Sequence, residues 1–295
     1  MNKDSKILVT GVKGQLGYDC LRELAKRGYT NVLGIDREQL DITNEKAVKD
    51  FIIKYHPDVI LHNAAWTAVD KAELMKDEVY KVNVLGTKYI AQAAKKVNAK
   101  MVYISTDYVF DGKGDKYFEV NDKKDGLSVY GITKSQGEDA VRENINKYFI
   151  IRISWVFGIN GNNFIKTMYK LAMSGKNELS IVDDQIGSPT YTLDLARLIV
   201  DMIETEKYGI YHATNEGVCS WADFAIEIFK NLKLDVKVKK VTTEEYMKLV
   251  PNQAKRPLNS RLSKKSLLDN GFKPLPSWKN AVKRFIKNEL IKENI

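Results

Sequence analysis

The chain has 295 residues, 44% of them hydrophobic and 29% charged, with a formal net charge of +9 and a pI of about 9.2. That is enough for one large α/β unit, or for a nucleotide-binding domain with a smaller second part. No apolar run reaches the roughly 18 residues of a membrane span, and two distant cysteines, Cys20 and Cys219, exclude a disulfide framework or a zinc-type ligand set.

The lysines are dispersed over helix faces and do not form a basic run with interleaved aromatics, so solvated surface is favoured over a nucleic-acid interface, with some of the charge available to an anionic substrate. Met1 to Lys6 leads straight into a strand-like run with no room for a signal peptide, and a cytoplasmic protein is expected. His56, His62 and His212 show no ligand spacing, and no metal is expected.

In chain order, Lys6–Thr10 is a short apolar strand followed at once by Gly11, Gly14 and Gly17. From Gln15 to Lys26 the residues Leu16, Cys20, Leu21, Leu24 and Ala25 recur at helical spacing. Strand, glycine turn and helix form a phosphate-binding unit. Gly11 permits the tight turn, Gly14 the approach of a pyrophosphate, and Gly17 close packing of helix on strand, with the first helical amides, at Gln15 and Leu16, facing the anion.

A second strand, Asn31–Ile35, delivers Asp36, placed to hydrogen-bond a ribose 2′-hydroxyl of NAD. Arg37 beside it suits the 2′-phosphate of NADP, so NADPH and NADH both stay open. Asp58–His62 is a third strand ending at Asn63-Ala64-Ala65-Trp66, where small residues let the backbone approach a cofactor; Trp66 is bulkier than that role requires.

Lys100–Ile104 is a fourth strand, with Ser105 and Thr106 at its C-terminal end, where open α/β sheets carry ligands. Thr106 is thereby placed to hydrogen-bond a reacting oxygen. Further on, Tyr130 and Lys134 stand four apart, on one face of a helix. An ammonium beside the phenol is expected to lower its pKa toward the working range and make Tyr130 an acid/base. Phe149–Ile153 is a fifth strand, and the alternation of strands with helical patterns marks a doubly wound parallel sheet.

Residues 1–157 are expected to form the dinucleotide-binding domain and residues 158–295 mainly a substrate lobe, with the stretch from about 187 to 215 returning to the first domain. The lobe offers an amphipathic helix through Met173, a turn-rich segment from Ile181 to Thr190 and a helix from Tyr191 to about Ile203. Arg256 and Arg261 lie on an irregular stretch and suit bidentate phosphate binding.

These segments, in order and spacing, make the chain resemble the dTDP-4-dehydrorhamnose reductases among the extended short-chain dehydrogenases, from residue 6 to about residue 285. The motifs that carry the resemblance are Gly-Val-Lys-Gly-Gln-Leu-Gly at 11–17, Leu40-Asp41-Ile42, Asn63-Ala64-Ala65-Trp66-Thr67-Ala68-Val69-Asp70, Ser105-Thr106-Asp107-Tyr108, Tyr130-Gly131-Ile132-Thr133-Lys134, Arg152-Ile153-Ser154-Trp155, Asp184-Gln185-Ile186-Gly187-Ser188-Pro189-Thr190 and Arg256-Pro257-Leu258-Asn259-Ser260-Arg261.

The resemblance implies reduction of the 4-keto group of dTDP-4-dehydro-β-L-rhamnose with NADPH or NADH. It implies that Thr106 and Tyr130 hold the 4-oxygen and that Lys134 orients the nicotinamide ribose. Asp107 and Trp155 would contact the sugar, Asp41 and Ile42 would lie near the adenine, and Ala64, Ala65 and Trp66 along the cofactor. Some members of the family form metal-bridged dimers through carboxylates; Asp19 falls near such a position, a metal is not expected, and a homodimer is left open. A dehydratase would need a glutamate where Tyr108 stands. A reductase of another nucleotide-linked ketosugar, or a non-catalytic NAD(P)-binding subunit similar to the methionine adenosyltransferase β subunit, are the alternatives.

Overall fold

The structure, a computed structural model, describes residues 1–250 and 253–292. Six strands form one parallel sheet: β1 (Ile7–Thr10), β2 (Val32–Ile35), β3 (Val59–His62), β4 (Lys100–Thr106), β5 (Tyr148–Ile153) and β6 (Gly209–His212). Their spatial order is β6-β5-β4-β3-β1-β2. Helices cover both faces, which is why Ile7–Val9, Val59–Leu61 and Phe149–Ile151 read as continuous apolar runs and not as alternating ones.

The pleat sorts these runs between two cores. Ile7, Val9, Leu61, Val102 and Ile151 face helices α1 (Gln15–Lys26) and α6 (Thr192–Ile203), against Cys20, Leu24 and Ile199. Leu8, Ile60, Met101 and Ile150 face α2 (Glu45–Tyr55) and α3 (Thr87–Lys96), against Ile52 and Ile90. Burial of each such side chain contributes about 1.5–3 kcal/mol relative to exposure.

The order of strands reverses between β1 and β3. At such a switch point the connections leave to opposite faces and a crevice opens beyond the carboxyl ends of the strands. Into this crevice points α4 (Val129–Asn144), started by Ser128, whose hydroxyl accepts from the Gly131 amide at 3.2 Å, and by Glu73, whose carboxylate takes the Val129 amide at 2.8 Å.

The strand β6 was not anticipated from the sequence. Gly209-Ile210-Tyr211-His212 is too short to show a period and follows a turn, but it pairs in register with Phe149–Arg152 of β5 at the sheet edge. The segment from Ile181 was expected to be turn-rich; instead Ile181 and Val182 end a strand, Glu178–Val182, paired with Lys237–Val241, and the turns begin at Asp183. A further core joins α5 (Phe164–Met173), α7 (Trp221–Leu232) and α8 (Trp278–Phe285) around Phe157, Phe224 and Phe285.

Charged ties bind late segments to early ones. Arg22 of α1 forms a bidentate pair with Glu289 at 3.0 and 3.1 Å and also holds Asp19, which is buried and bonded by the Thr192 hydroxyl. Arg284 grips the buried Asp194 of α6 through both terminal nitrogens. Among the described residues no helix is long and apolar enough to cross a membrane.

Candidate active site

A cleft of about 680 Å³ opens over the carboxyl ends of the strands. At its base Gly11 has φ +69°, and a Cβ there would lie 2.9 Å from the Ala64 backbone. A Cβ on Gly17 would lie 2.3 Å from the Gly11 carbonyl oxygen. Both positions therefore exclude any side chain, and α1 is held tight against the turn. Gly14 caps α1 without a side-chain hydrogen bond, and the first helical turn carries no acidic residue. Its amides, beginning with those of Gln15 and Leu16, leave a partial positive charge at the cleft.

Along the facing wall, the Ala64 amide donates to the Thr10 hydroxyl at 3.1 Å, and Asn83 clamps Trp66 by accepting from its amide at 2.8 Å and donating to its carbonyl at 3.2 Å. Asn83 sits in a π-helical turn, Lys81–Gly86, immediately before α3. Both polar side-chain atoms of Asn63 are buried in the cleft wall without a protein partner. Asp36, Arg37, Asp41 and Ile42 line the far end. The Asp36 carboxylate accepts from the Arg37 amide at 2.7 Å and lies 3.8 Å from the Lys13 ammonium, while the Arg37 guanidinium is 87% exposed. Uncapped helix, glycine cradle and orphaned amide together fit a dinucleotide.

The other half of the cleft brings together Thr106 from the end of β4 with Tyr130 and Lys134 from α4. The Thr106 hydroxyl donates to Asp107 Oδ1 at 2.9 Å and accepts from the Tyr108 amide at 3.2 Å. The expected lowering of the Tyr130 pKa is not what the structure gives. Burial pushes the phenol up to about 12, with the Thr106 hydroxyl pulling the other way and Asp107 adding to the rise. The Lys134 ammonium lies 4.0 Å over the ring of Tyr103 and makes no hydrogen bond to the phenol. Burial draws Lys134 down to about 7, opposed by Glu138 one turn further along α4. A phenol so placed keeps its proton at neutral pH, which suits a proton donor better than a base.

Glu138 belongs to a fully buried network. It accepts two hydrogen bonds from Arg152 of β5, both 2.8 Å, and one from Ser105 at 2.6 Å. Arg152 also donates to the Val120 carbonyl at 2.9 Å and lies 5.0 Å over the Phe110 ring. Burial and the Arg152 charge hold His212 well below its ordinary pKa, so that it stays neutral.

At the remaining end stand Asp107 and Trp155, both in the cleft wall. Asp107 is 2% exposed, and its second oxygen takes the hydroxyl proton of Ser260 from the late irregular stretch. Burial lifts Asp107 to about 6, against the hydrogen bonds from Ser260 and Thr106. Arg256 is not in the cleft wall. Both of its terminal nitrogens are taken by Asp70, at 3.0 and 2.9 Å, so contact with a substrate phosphate would require it to leave that pair.

Residues 5–291 match the family model described as the RmlD substrate binding domain. A dTDP-4-dehydrorhamnose reductase of Aggregatibacter actinomycetemcomitans is 43% identical over 293 residues, covering 95% of this chain and 97% of the relative. The chain belongs to the dTDP-4-dehydrorhamnose reductase family. The spore coat polysaccharide biosynthesis protein SpsK of Bacillus subtilis is 39% identical, covering 96% of this chain and 97% of its own. The crystal structure of a dTDP-4-dehydrorhamnose reductase from Bacillus anthracis in complex with NADP has a TM-score of 0.92 and 41% identity, covering 96% of this chain and 99% of that one.

Within this reductase family fold, sequence reasoning missed Asn63, Asn83, Glu138 and Ser260. For Asn63 the signal was its place directly after a strand whose following residues were read as cofactor wall. Glu138 continues the spacing of four from Tyr130 through Lys134. Asn83 and Ser260 act through contacts distant in sequence, and nothing local announces them.

Proposed function

We propose that the chain reduces the 4-keto group of dTDP-4-dehydro-β-L-rhamnose to give dTDP-L-rhamnose, an NAD(P)H-dependent step that supplies polysaccharide biosynthesis. The observation that carries the reading is the convergence of Thr106, Tyr130 and Lys134 with the glycine turn on one cleft. When bound along the wall from Gly11 to Trp66, NADPH or NADH supplies the hydride. Gly11, Gly14 and Gly17 leave room for the pyrophosphate, which the N-terminal amides of α1 attract, and Asp36 or Arg37 takes the adenosine ribose with Asp41 and Ile42 near the base.

Tyr130 gives its phenolic proton to the oxygen on the sugar C4, and Thr106 holds that oxygen once its hydroxyl turns from Asp107. Lys134 would orient the nicotinamide ribose, and its ammonium in the same cleft offsets the charge of the phenolate left on Tyr130 until water returns the proton. Asp107 fixes Thr106 and, with Trp155, meets the sugar. A protonated tyrosine in a buried site lowers the barrier by supplying the proton as negative charge develops, a contribution of about two to four orders of magnitude in rate.

The test is the loss of 340 nm absorbance on adding NADPH, then NADH, to the purified protein with dTDP-4-dehydrorhamnose generated from its 4-keto precursor. Oxidation dependent on that ketosugar is expected, and the ratio of rates assigns the coenzyme. Cofactor binding without turnover would overturn the reading. The expected cytoplasmic setting belongs to the same proposal and is tested by fractionation, and sedimentation decides between monomer and homodimer, which stay open.

A further inference from the structure

Trp155 has φ +50°, a left-handed conformation that a bulky side chain adopts only when its surroundings hold it there. Its carbonyl accepts from the Thr190 amide at 3.1 Å, the Thr190 hydroxyl donates to the Ser154 carbonyl at 2.6 Å, and Ser154 donates to the Ser188 carbonyl at 2.7 Å. The backbone is thus pinned to Ser188 and Thr190, neither of which lines the cleft.

The indole is held separately. It stacks on Trp221, with ring centroids 3.9 Å apart and planes 17° from parallel. Trp221, the first residue of α7, leans in turn on Phe164 at 4.7 Å and Phe224 at 6.0 Å. Gly187 closes the other contact, since a Cβ there would fall 2.9 Å from the Trp155 ring. Trp155 lines the cleft and Trp221 does not.

We propose that Trp221 is a positioning residue for the nucleotide sugar: stacked on Trp155, it holds that indole at the angle where its face forms the apolar wall against the sugar ring. The inference rests on the reading of the cleft as the ketosugar site. Without the ring stacked on it, only the contact at Gly187 and the more distant Phe224 ring hold the Trp155 indole, because the strained backbone fixes only the direction of its Cβ. A mobile indole weakens the contact with the sugar and leaves the cofactor wall, built from β1, α1 and β3, untouched.

The experiment compares the full-length wild type with Trp221→Leu and Trp221→Phe in the ketosugar-dependent assay, together with NADPH titrations and circular dichroism. Trp221→Leu is expected to raise KM for dTDP-4-dehydrorhamnose about three- to tenfold, the range set by one aromatic pair. Its kcat should stay within about twofold and its NADPH affinity unchanged. Trp221→Phe, which restores a ring to the stack, is expected to keep KM within about twofold of wild type. The exciton couplet of the paired indoles should vanish in both variants with the helical signal preserved.

A wild-type KM in Trp221→Leu, or an equal loss in the Leu and Phe variants, overturns the positioning role. Absence of ketosugar turnover in the wild type overturns the functional reading itself, and this inference falls with it.

Discussion

Arg256 and Asp70 are joined by two parallel hydrogen bonds, and the same carboxylate takes the Ala254 amide at 2.9 Å. The pair ties the stretch that carries Ser260 to the segment that follows Trp66, and so links the sugar end of the cleft to the cofactor wall. Asp70 is half exposed, so the direct loss of stability on breaking the pair should be no more than about 1 kcal/mol. If Arg256 leaves Asp70 for a substrate phosphate, Arg256→Ala raises KM for the nucleotide sugar well beyond the effect of Asp70→Asn. Equal effects would assign Arg256 to the tie alone.

Tyr130→Phe removes the proton donor and nothing else of size. Its kcat should fall by about two to four orders of magnitude while NADPH binding, measured by fluorescence titration, is nearly unchanged. A wild-type rate would remove Tyr130 from the chemistry.

The pH dependence has a definite sign. With Tyr130 pushed up to about 12 and Lys134 drawn down to about 7, the first group to lose its proton on the alkaline side is Lys134. The kcat/KM profile, which reports the free enzyme, should therefore decline as pH rises through about 7, well before any phenol ionises. Glu138→Gln withdraws the charge that opposes the fall in Lys134, so the declining limb should move to lower pH. Stability moves oppositely: between about 7 and the ordinary 10.5 the unfolded lysine holds a proton that the folded one lacks, so Lys134's own contribution improves as pH rises across that window. Denaturant titrations of wild type and Lys134→Met at several pH values would expose the difference.

Gly17→Ala places a methyl 2.3 Å from the Gly11 carbonyl oxygen, a backbone atom that cannot swing away. Helix α1 must shift, at a cost of about 1–3 kcal/mol for overpacking. The cofactor Kd should rise at least tenfold, roughly the effect of 1.4 kcal/mol. Calorimetry of NADPH binding and thermal unfolding check the two halves of this expectation.

Arg152→Met strands Glu138 in the core with only Ser105 and, at 3.6 Å, Lys124 for company. Removing one partner of a buried ion pair costs about 3–5 kcal/mol. Replacing both, as Arg152→Met with Glu138→Leu, should recover much of that loss, and a double-mutant cycle in urea measures the recovery.

The parallel sheet and the cleft were legible because their signals are local. Apolar runs such as Ile7–Thr10 and Val59–His62, the glycines at 11, 14 and 17, and the spacing of Tyr130 to Lys134 each declare themselves within a few residues. The charge state of Tyr130 was not legible, because it depends on how far the folded cleft strips water from the phenol, and that desolvation outweighs the lysine that sequence spacing makes conspicuous. Arg256 was read as a free guanidinium for the same reason: its partner Asp70 lies 186 positions away. Strand β6 escaped notice since four residues carry no period, and only β5 gives them a place.

The pair between Arg22 and Glu289 spans 267 positions of chain. Helix α1 presents the amides that define the dinucleotide end of the cleft, yet its outer face is completed by a residue synthesised 267 positions later. Strand β6 likewise joins the sheet only after most of the chain exists. Closing such distant contacts carries a large entropic cost before any packing is gained, so assembly should be slow and concerted. On the ribosome the glycine turn would emerge early and wait, without the partners that fix its helix, until those later segments have been made.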